Sequence, residues 1–335
     1  LNRIRSLPEE RIGSKQSQGA GRKTTTTGIC KIMYSNLKIP ALPHQFSGKW
    51  NRRVYRVLHE IGKGANGVVY QVINEGKVQA LKIGTDPMDL LMEVNMLKSV
   101  HQRPGQQVGP ALCDVDDVVI NNRTYTFYSM EYLAGERLDL YIERVGRDWT
   151  PVAMVQLLSR LEVLHAQGWI FGDLKPENTI MARPEKSLRL IDFGGVTKIG
   201  NAVRQFTEDY DRAAWYAGDR RADVGYDLFA AAMVMIRLLL PAEEWRRIKK
   251  GTRHVHTLCD IIQENLLLKP YRYILVRALN GKYTRAETMK QDLMDSFVRM
   301  QGTKLRKKSN AGRWLGSVAI VMMLLAAGFL YFQRM

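Results

Sequence analysis

Trp169-Ile170-Phe171-Gly172-Asp173-Leu174-Lys175-Pro176-Glu177-Asn178, followed fourteen residues later by Asp192-Phe193-Gly194, is the stretch on which the reading of this 335-residue chain turns. An Asp that can take a hydroxyl proton, a Lys two residues on, an Asn five residues on and a second Asp just after an apolar run form one spaced set. Asn178 and Asp192 offer the hard oxygen donors that a phosphate-bridging divalent ion requires, and Lys175 offers a cation for a charged group in transfer.

The upstream half extends the pattern. Ile61-Gly62-Lys63-Gly64-Ala65-Asn66-Gly67-Val68-Val69-Tyr70 omits side chains at Gly62, Gly64 and Gly67, which lets a backbone close over phosphates. Ala80-Leu81-Lys82-Ile83 and Glu93-Val94-Asn95-Met96-Leu97 follow. In this order the motifs resemble those of eukaryotic-type (Hanks-type) protein Ser/Thr kinases over residues 48–335. With the apolar C-terminal segment, the chain is similar to the YabT-like, sporulation-associated, membrane-anchored kinases of bacteria.

The resemblance implies an α+β, two-lobed kinase fold, with a small β-rich lobe at residues 48–134 and a larger helical lobe at 135–300. It implies ATP with magnesium or manganese as cofactors. Ile61, Gly62, Gly64, Gly67, Val69 and Ala80 then surround the nucleotide, and Lys82, oriented by Glu93, pairs with its α and β phosphates. In Met130-Glu131-Tyr132-Leu133-Ala134-Gly135 the backbone of Glu131 and Leu133 is expected to hold adenine. Asp173 is the implied base, Lys175 and Asn178 complete the catalytic set, and Asn178 and Asp192 are the metal ligands. Leu97, Phe171 and Phe193 occupy positions of an interlobe apolar column, which ordinary core packing explains equally well.

Two departures stand out. Gly172 takes the place where many such kinases carry an Arg that pairs with a phosphorylated activation loop, so activity is expected not to depend on that contact. Thr197 and Thr207 are the loop hydroxyls whose replacement tests this. The Ala-Pro-Glu that usually closes the segment is also missing from Trp215-Tyr216-Ala217-Gly218-Asp219, and only Asp227 matches the helix that follows. A peptide-docking surface built differently from the usual one is therefore expected.

Of the formal net charge of +17, residues 1–53 carry +9 and residues 299–313 carry +6, so the catalytic core is almost neutral. Such basic ends suit an anionic lipid surface or double-stranded DNA, to which the cluster Arg246, Arg247, Lys249 and Lys250 could add; a solvated tail accounts for them as simply. Residues 1–47 read as a basic, disordered extension, and because the chain opens on Leu1, a start at Met33 is expected. Residues 301–313 read as a basic linker and 314–332, a run of nineteen residues without a charge, as a single transmembrane helix. The excess of Lys and Arg before that run predicts a cytoplasmic kinase domain at the cell membrane, and the resemblance adds the sporulation septum.

Protein substrates with Ser or Thr acceptors are the expected partners. A small-molecule or glycolipid kinase is the alternative that Gly172-Asp173-Leu174 permits, although Lys175-Pro176-Glu177-Asn178 argues against it. A membrane-tethered pseudokinase requires missing catalytic groups, and Lys82, Glu93, Asp173, Asn178 and Asp192 are all present. Cys30, Cys113 and Cys259 are too few and scattered for a disulfide framework, and His254, His256 and Cys259 do not make a metal set.

Overall fold

The computed structural model describes residues 39–64, 67–100 and 107–308. Between Gln45 and Glu131 the chain alternates Val, Ile, Tyr and Phe with polar residues, the pattern of strands buried on one face. It folds into six strands: β1 (Gln45–Ser47), β2 (Val54–Gly64), β3 (Gly67–Asn74), β4 (Lys77–Gly84), β5 (Leu112–Ile120) and β6 (Arg123–Glu131). They form one antiparallel sheet in the order β1-β2-β3-β4-β6-β5. Two tight turns set its register. Glu75-Gly76 and Asn121-Asn122 both have positive φ at two successive residues, the conformation whose twist matches the strands it joins.

The sheet takes in three residues upstream of the lobe boundary expected at residue 48. Phe46 explains this: its ring stacks on Tyr55 and meets Phe127 edge-on, with centroids 5.4 and 5.5 Å away, so it belongs to the small lobe's own core. The connection from β4 to β5 carries helix α1 (Pro87–Val100). Leu90, Val94, Met96 and Leu97 of α1 join the core of the large lobe, not that of the sheet, so α1 binds the two lobes together.

The large lobe is mainly helical, with α2 (Leu138–Val145), α3 (Thr150–Ala166), α4 (Val224–Leu239), α5 (Ala242–Lys250), α6 (Val255–Glu264), α7 (Arg272–Leu279) and α8 (Ala286–Lys308). Asp223 caps α4 by accepting from the Tyr226 N–H at 2.9 Å. The rest of α4 is apolar on nearly every face, as a helix at the centre of a core must be, and it is buried from Tyr226 to Ile236. Five short strands complete the lobe: β7 (Gly135–Arg137), β8 (Trp169–Ile170), β9 (Thr179–Ala182), β10 (Ser187–Leu190) and β11 (Thr197–Lys198). Asp173, Lys175, Asn178 and Asp192 sit on the segments between them.

Helix α8 runs on to Lys308, so the first part of the stretch expected as a linker from residue 301 is helical. Lys, Leu and Arg favour helix strongly enough to carry it through Gly302. Among the described residues no helix is long and apolar enough to cross a membrane. The apolar run 314–332, the remainder of the basic linker and residues 1–38 lie outside the described residues.

Candidate active site

Three charged side chains from three separate elements converge beside α1. Lys82 on β4 donates to both carboxylate oxygens of Glu93 on α1, at 2.8 and 2.7 Å, and to Asp192 Oδ1 at 2.9 Å. Strand register puts Tyr128 opposite Lys82, and the Tyr128 hydroxyl donates to Glu93 Oε2 at 2.8 Å. Two buried charges are costly unless they are paired and hydrogen-bonded, and here every partner is supplied. Burial works against the Lys82 ammonium, yet Glu93 and Asp192 outweigh it and hold its pKa above the ordinary lysine value. Burial also opposes charge on Asp192, but Lys82 and the Gly194 N–H together keep that carboxyl below the usual carboxylate range. Asp192 stands at φ +61°, a left-handed conformation that non-glycine residues adopt mostly at functional positions.

A second cluster lies on the turn after β8. Lys175 Nζ donates to Asp173 Oδ2 at 2.7 Å and to Thr207 Oγ1 at 2.8 Å, while the Thr207 hydroxyl donates to Asp173 Oδ1 at 2.8 Å. Asn178 Nδ2 donates to the Asp173 carbonyl at 2.8 Å, which turns its amide nitrogen inward and leaves its oxygen for another partner. The Ile191 N–H donates to the Asn178 carbonyl at 2.9 Å, so the backbones of Asn178 and of the residue before Asp192 are adjacent. With those backbones adjacent, the amide oxygen of Asn178 and the carboxylate of Asp192 are donors of the type that suits a hard divalent cation such as magnesium.

The turn is fixed from beneath by Asp227, fully buried in the first turn of α4. Its carboxylate accepts from the Phe171 N–H at 2.7 Å and the Gly172 N–H at 2.9 Å, and His165 Nε2 lies 2.9 Å from Oδ2. Phe171 also meets Phe193 edge-on at 5.7 Å, within the same core as Leu97.

The nucleotide-side expectations fall on one sheet face. Register pairs Gly62 with Val69, Val69 with Lys82, and Ala80 with Met130, so Val69, Ala80 and Lys82 point the same way. Gly67 lies so near β4 that a Cβ would come 2.3 Å from the Ile83 carbonyl oxygen. Ile61 and Gly64 stand exposed, Glu131 and Leu133 are half-buried where the chain leaves β6, and residues 65–66 lie outside the described residues.

Comparison with known proteins bears on this geometry directly. The family described as protein kinase domain matches residues 55–304. The chain is 44% identical over 251 residues to serine/threonine-protein kinase YabT of Bacillus subtilis, covering 74% of this chain and 73% of that protein. The chain belongs to the protein kinase family. It is a serine/threonine protein kinase. Cyclin-dependent kinase 1 of Encephalitozoon cuniculi is 28% identical over 210 residues, covering 56% of this chain and 67% of that protein. Among solved structures, vaccinia related kinase 3 matches with a TM-score of 0.56 at 13% identity over 81% of this chain and 95% of that one, a likeness of fold.

The activation segment is held by contacts that the sequence leaves open. The buried Asp211 accepts from Arg220 Nε at 2.9 Å, the Tyr226 hydroxyl at 2.9 Å, and the Ala213 and Ala214 N–H groups at 3.2 Å each. Arg212 forks onto Asp223, with both bonds at 2.7 Å, and reaches Asp219 at 3.2 Å. These pairs hold the end of the segment where Ala-Pro-Glu is missing. Further back, Arg253 holds Glu208 at 2.7 Å and Asp209 at 2.9 Å, and Lys249 holds Asp209 at 2.9 Å.

Gly172 has φ +80°, and a Cβ there would sit 2.3 Å from the Gly195 carbonyl oxygen. The missing Arg is thus matched to a tight contact between catalytic loop and activation segment. Gly172→Ala is expected to destabilise the kinase by about 1–2 kcal/mol from the left-handed conformation alone, read as a lowered thermal midpoint.

Tyr128 and Asp211 support the site without being marked in the sequence, and the structure gives Thr207 contacts beyond those of a loop hydroxyl. Thr207 was singled out only as a phosphorylatable hydroxyl; its position between Asp173 and Lys175 makes it a positioning residue instead. Thr207→Ala should lower kcat about 10- to 100-fold, because a buried carboxylate oxygen loses its donor at about 1–3 kcal/mol. Thr207→Ser should restore most of it, and KM for ATP should stay close to the parent value in both. A merely structural threonine predicts instead that Ser and Ala behave alike. Nothing in the sequence marks Tyr128.

Proposed function

We propose that this kinase transfers the γ-phosphoryl group of ATP to serine and threonine hydroxyls of protein substrates at the cytosolic face of a membrane. The observation that carries the catalytic part is the pairing of Asp173, Lys175 and Thr207 beside the Lys82, Glu93 and Asp192 chain. Asp173 takes the acceptor hydroxyl's proton, with its carboxylate aimed by Thr207 and Lys175. Lys175 lies next to that oxygen and neutralises charge on the group in flight. Lys82, kept ionised by Glu93, holds the nucleotide phosphates, and the backbone of Glu131 and Leu133 receives adenine. Asn178 and Asp192 would hold magnesium or manganese, which neutralises phosphate charge when bound.

Membrane tethering rests on the charge-free run 314–332 preceded by Lys304, Arg306, Lys307, Lys308 and Arg313. The same basic stretch and the basic residues before Arg53 favour stimulation by an anionic surface, whether lipid or double-stranded DNA. No loop phosphate is needed in this reading, because Gly172 offers it no cation and carboxylates of the segment already occupy Arg253 and Lys249.

The test is the full chain in neutral or anionic vesicles, with labelled ATP, a generic protein acceptor, and duplex DNA added or withheld. Label on serine and threonine only is expected, with a higher rate on anionic vesicles or with DNA and a loss of that stimulus at raised salt. Equal rates under every condition would remove the polyanion. Activity that stays soluble after removal of detergent would remove the anchor.

A further inference from the structure

The end of the activation segment and helices α5 and α6 enclose a groove of about 270 Å³ that the reaction above does not use. Trp215, Ile248 and Ile261 give it apolar walls, with Thr257, Glu244 and Arg247 among its other lining residues. It is a built feature: the Trp215 indole donates to the Asp209 carbonyl at 3.1 Å, and the Val255 N–H at the start of α6 donates to the Trp215 carbonyl at 2.9 Å. Beside Trp215, Tyr216 is 76% exposed and stands at φ +53°, its ring stacked on His254. An exposed aromatic residue held in a sparsely populated conformation is characteristic of a ligand-contacting loop.

Charge selects the occupant. Of the cations near this rim, Arg246 is paired with Glu243, Lys249 with Asp209, and Arg253 with Glu208 and Asp209. Asn265 Nδ2 holds Glu244 at 2.7 Å. Arg247 and Lys250 are exposed and have no carboxylate partner among the described residues. The groove therefore combines an apolar floor and one lining carboxylate, Glu244, with the unpaired Arg247 in its lining and Lys250 exposed beside the lining residue Gly251.

Its place along the chain connects it to the reaction. The segment 207–215 touches Asp173 through the Thr207 hydroxyl at one end and lines the groove with Trp215 at the other. Eight residue steps span at most about 29 Å, so a substrate chain of roughly ten residues can reach from one to the other.

We infer that this groove docks protein substrates, taking an apolar side chain flanked by acidic residues about ten or fewer positions from the phosphoacceptor. The inference rests on the protein kinase activity and adds a substrate class to it. The apolar residue fills the space against Trp215 and Ile248, and the acids meet Arg247 and Lys250. Peptides that lack such a segment are phosphorylated with the same chemistry but higher KM.

The test uses the full-length kinase and peptides sharing one serine core. One peptide has no tail, one carries a tail of Leu with Asp and Glu, one has Lys for the acids, and one has Ser for the Leu, with tails placed on either flank. The acidic tail is expected to lower KM about tenfold, and exchange of Leu for Ser to remove most of that gain. Arg247→Glu with Lys250→Glu should abolish the advantage of the acidic tail and transfer it to the Lys tail, while kcat on the untailed peptide holds. Equal KM for all tails, or no transfer after charge reversal, overturns the docking site. Failure to phosphorylate even the untailed peptide counts instead against the activity itself. If the double variant loses duplex DNA in a binding titration while peptide KM values stay put, the surface belongs to nucleic acid and the inference falls.

Discussion

Asp173→Asn is expected to lower kcat by about 10²- to 10⁴-fold while nucleotide affinity changes little. The separation follows from the geometry. Lys82, Glu93, Tyr128 and Asp192 form a chain of bonds that does not include Asp173, so the grip on phosphate survives the substitution. Asp173 has its own circle of donors in Lys175, Thr207 and Asn178. An amide in its place loses basicity and turns an NH₂ toward groups that are themselves donors, so the hydroxyl of the acceptor loses both its base and its aim. Single-turnover transfer to a protein acceptor and calorimetric titration with nucleotide, run on the same preparation, read the two effects apart. A variant within threefold of the parent in kcat would mean that another group takes the proton.

The contrast between what the sequence carried and what it did not follows from the range of the interactions involved. The two-lobed fold was legible from the order of its motifs, and the Asp173, Lys175 and Asn178 set because one turn holds all three. Asp192 was legible from an apolar strand before it. By contrast, the Tyr128 bond to Glu93 depends on which strand pairs with β4, and β6 lies beyond an intervening helix and strand. Thr207 reaches Asp173 across 34 residues, and Phe46 enters the sheet only because Tyr55 and Phe127 come to meet it. The cluster Arg246, Arg247, Lys249 and Lys250 looked uniform in sequence, yet acids from the activation segment and from α5 itself neutralise two of its members and leave the other two.

Asp211→Ala should be strongly damaging although it lies outside the reacting groups. The carboxylate is buried and has at least four donors, of which Tyr226 and the two backbone N–H groups cannot follow it into solvent. Arg220 is partly exposed and can swing to water, so its share of the loss is smaller. Leaving buried donors unpaired costs about 1–3 kcal/mol each as an upper range. A net loss of about 3 kcal/mol, or about 6–12 °C in thermal midpoint for a domain of this size, is the expected result. Asp211→Asn should fall between, since its oxygen still accepts from Tyr226 while its NH₂ opposes Arg220. The exposed Asp219→Asn serves as control and should change neither midpoint nor rate, because Arg212 keeps its forked bond to Asp223. Activity adds a second readout: Thr207 lies four residues before Asp211, so loosening this anchor should also lower kcat at temperatures where the variant is still folded. If Asp211→Ala melts with the parent and keeps its kcat, the end of the activation segment is held by something other than this carboxylate.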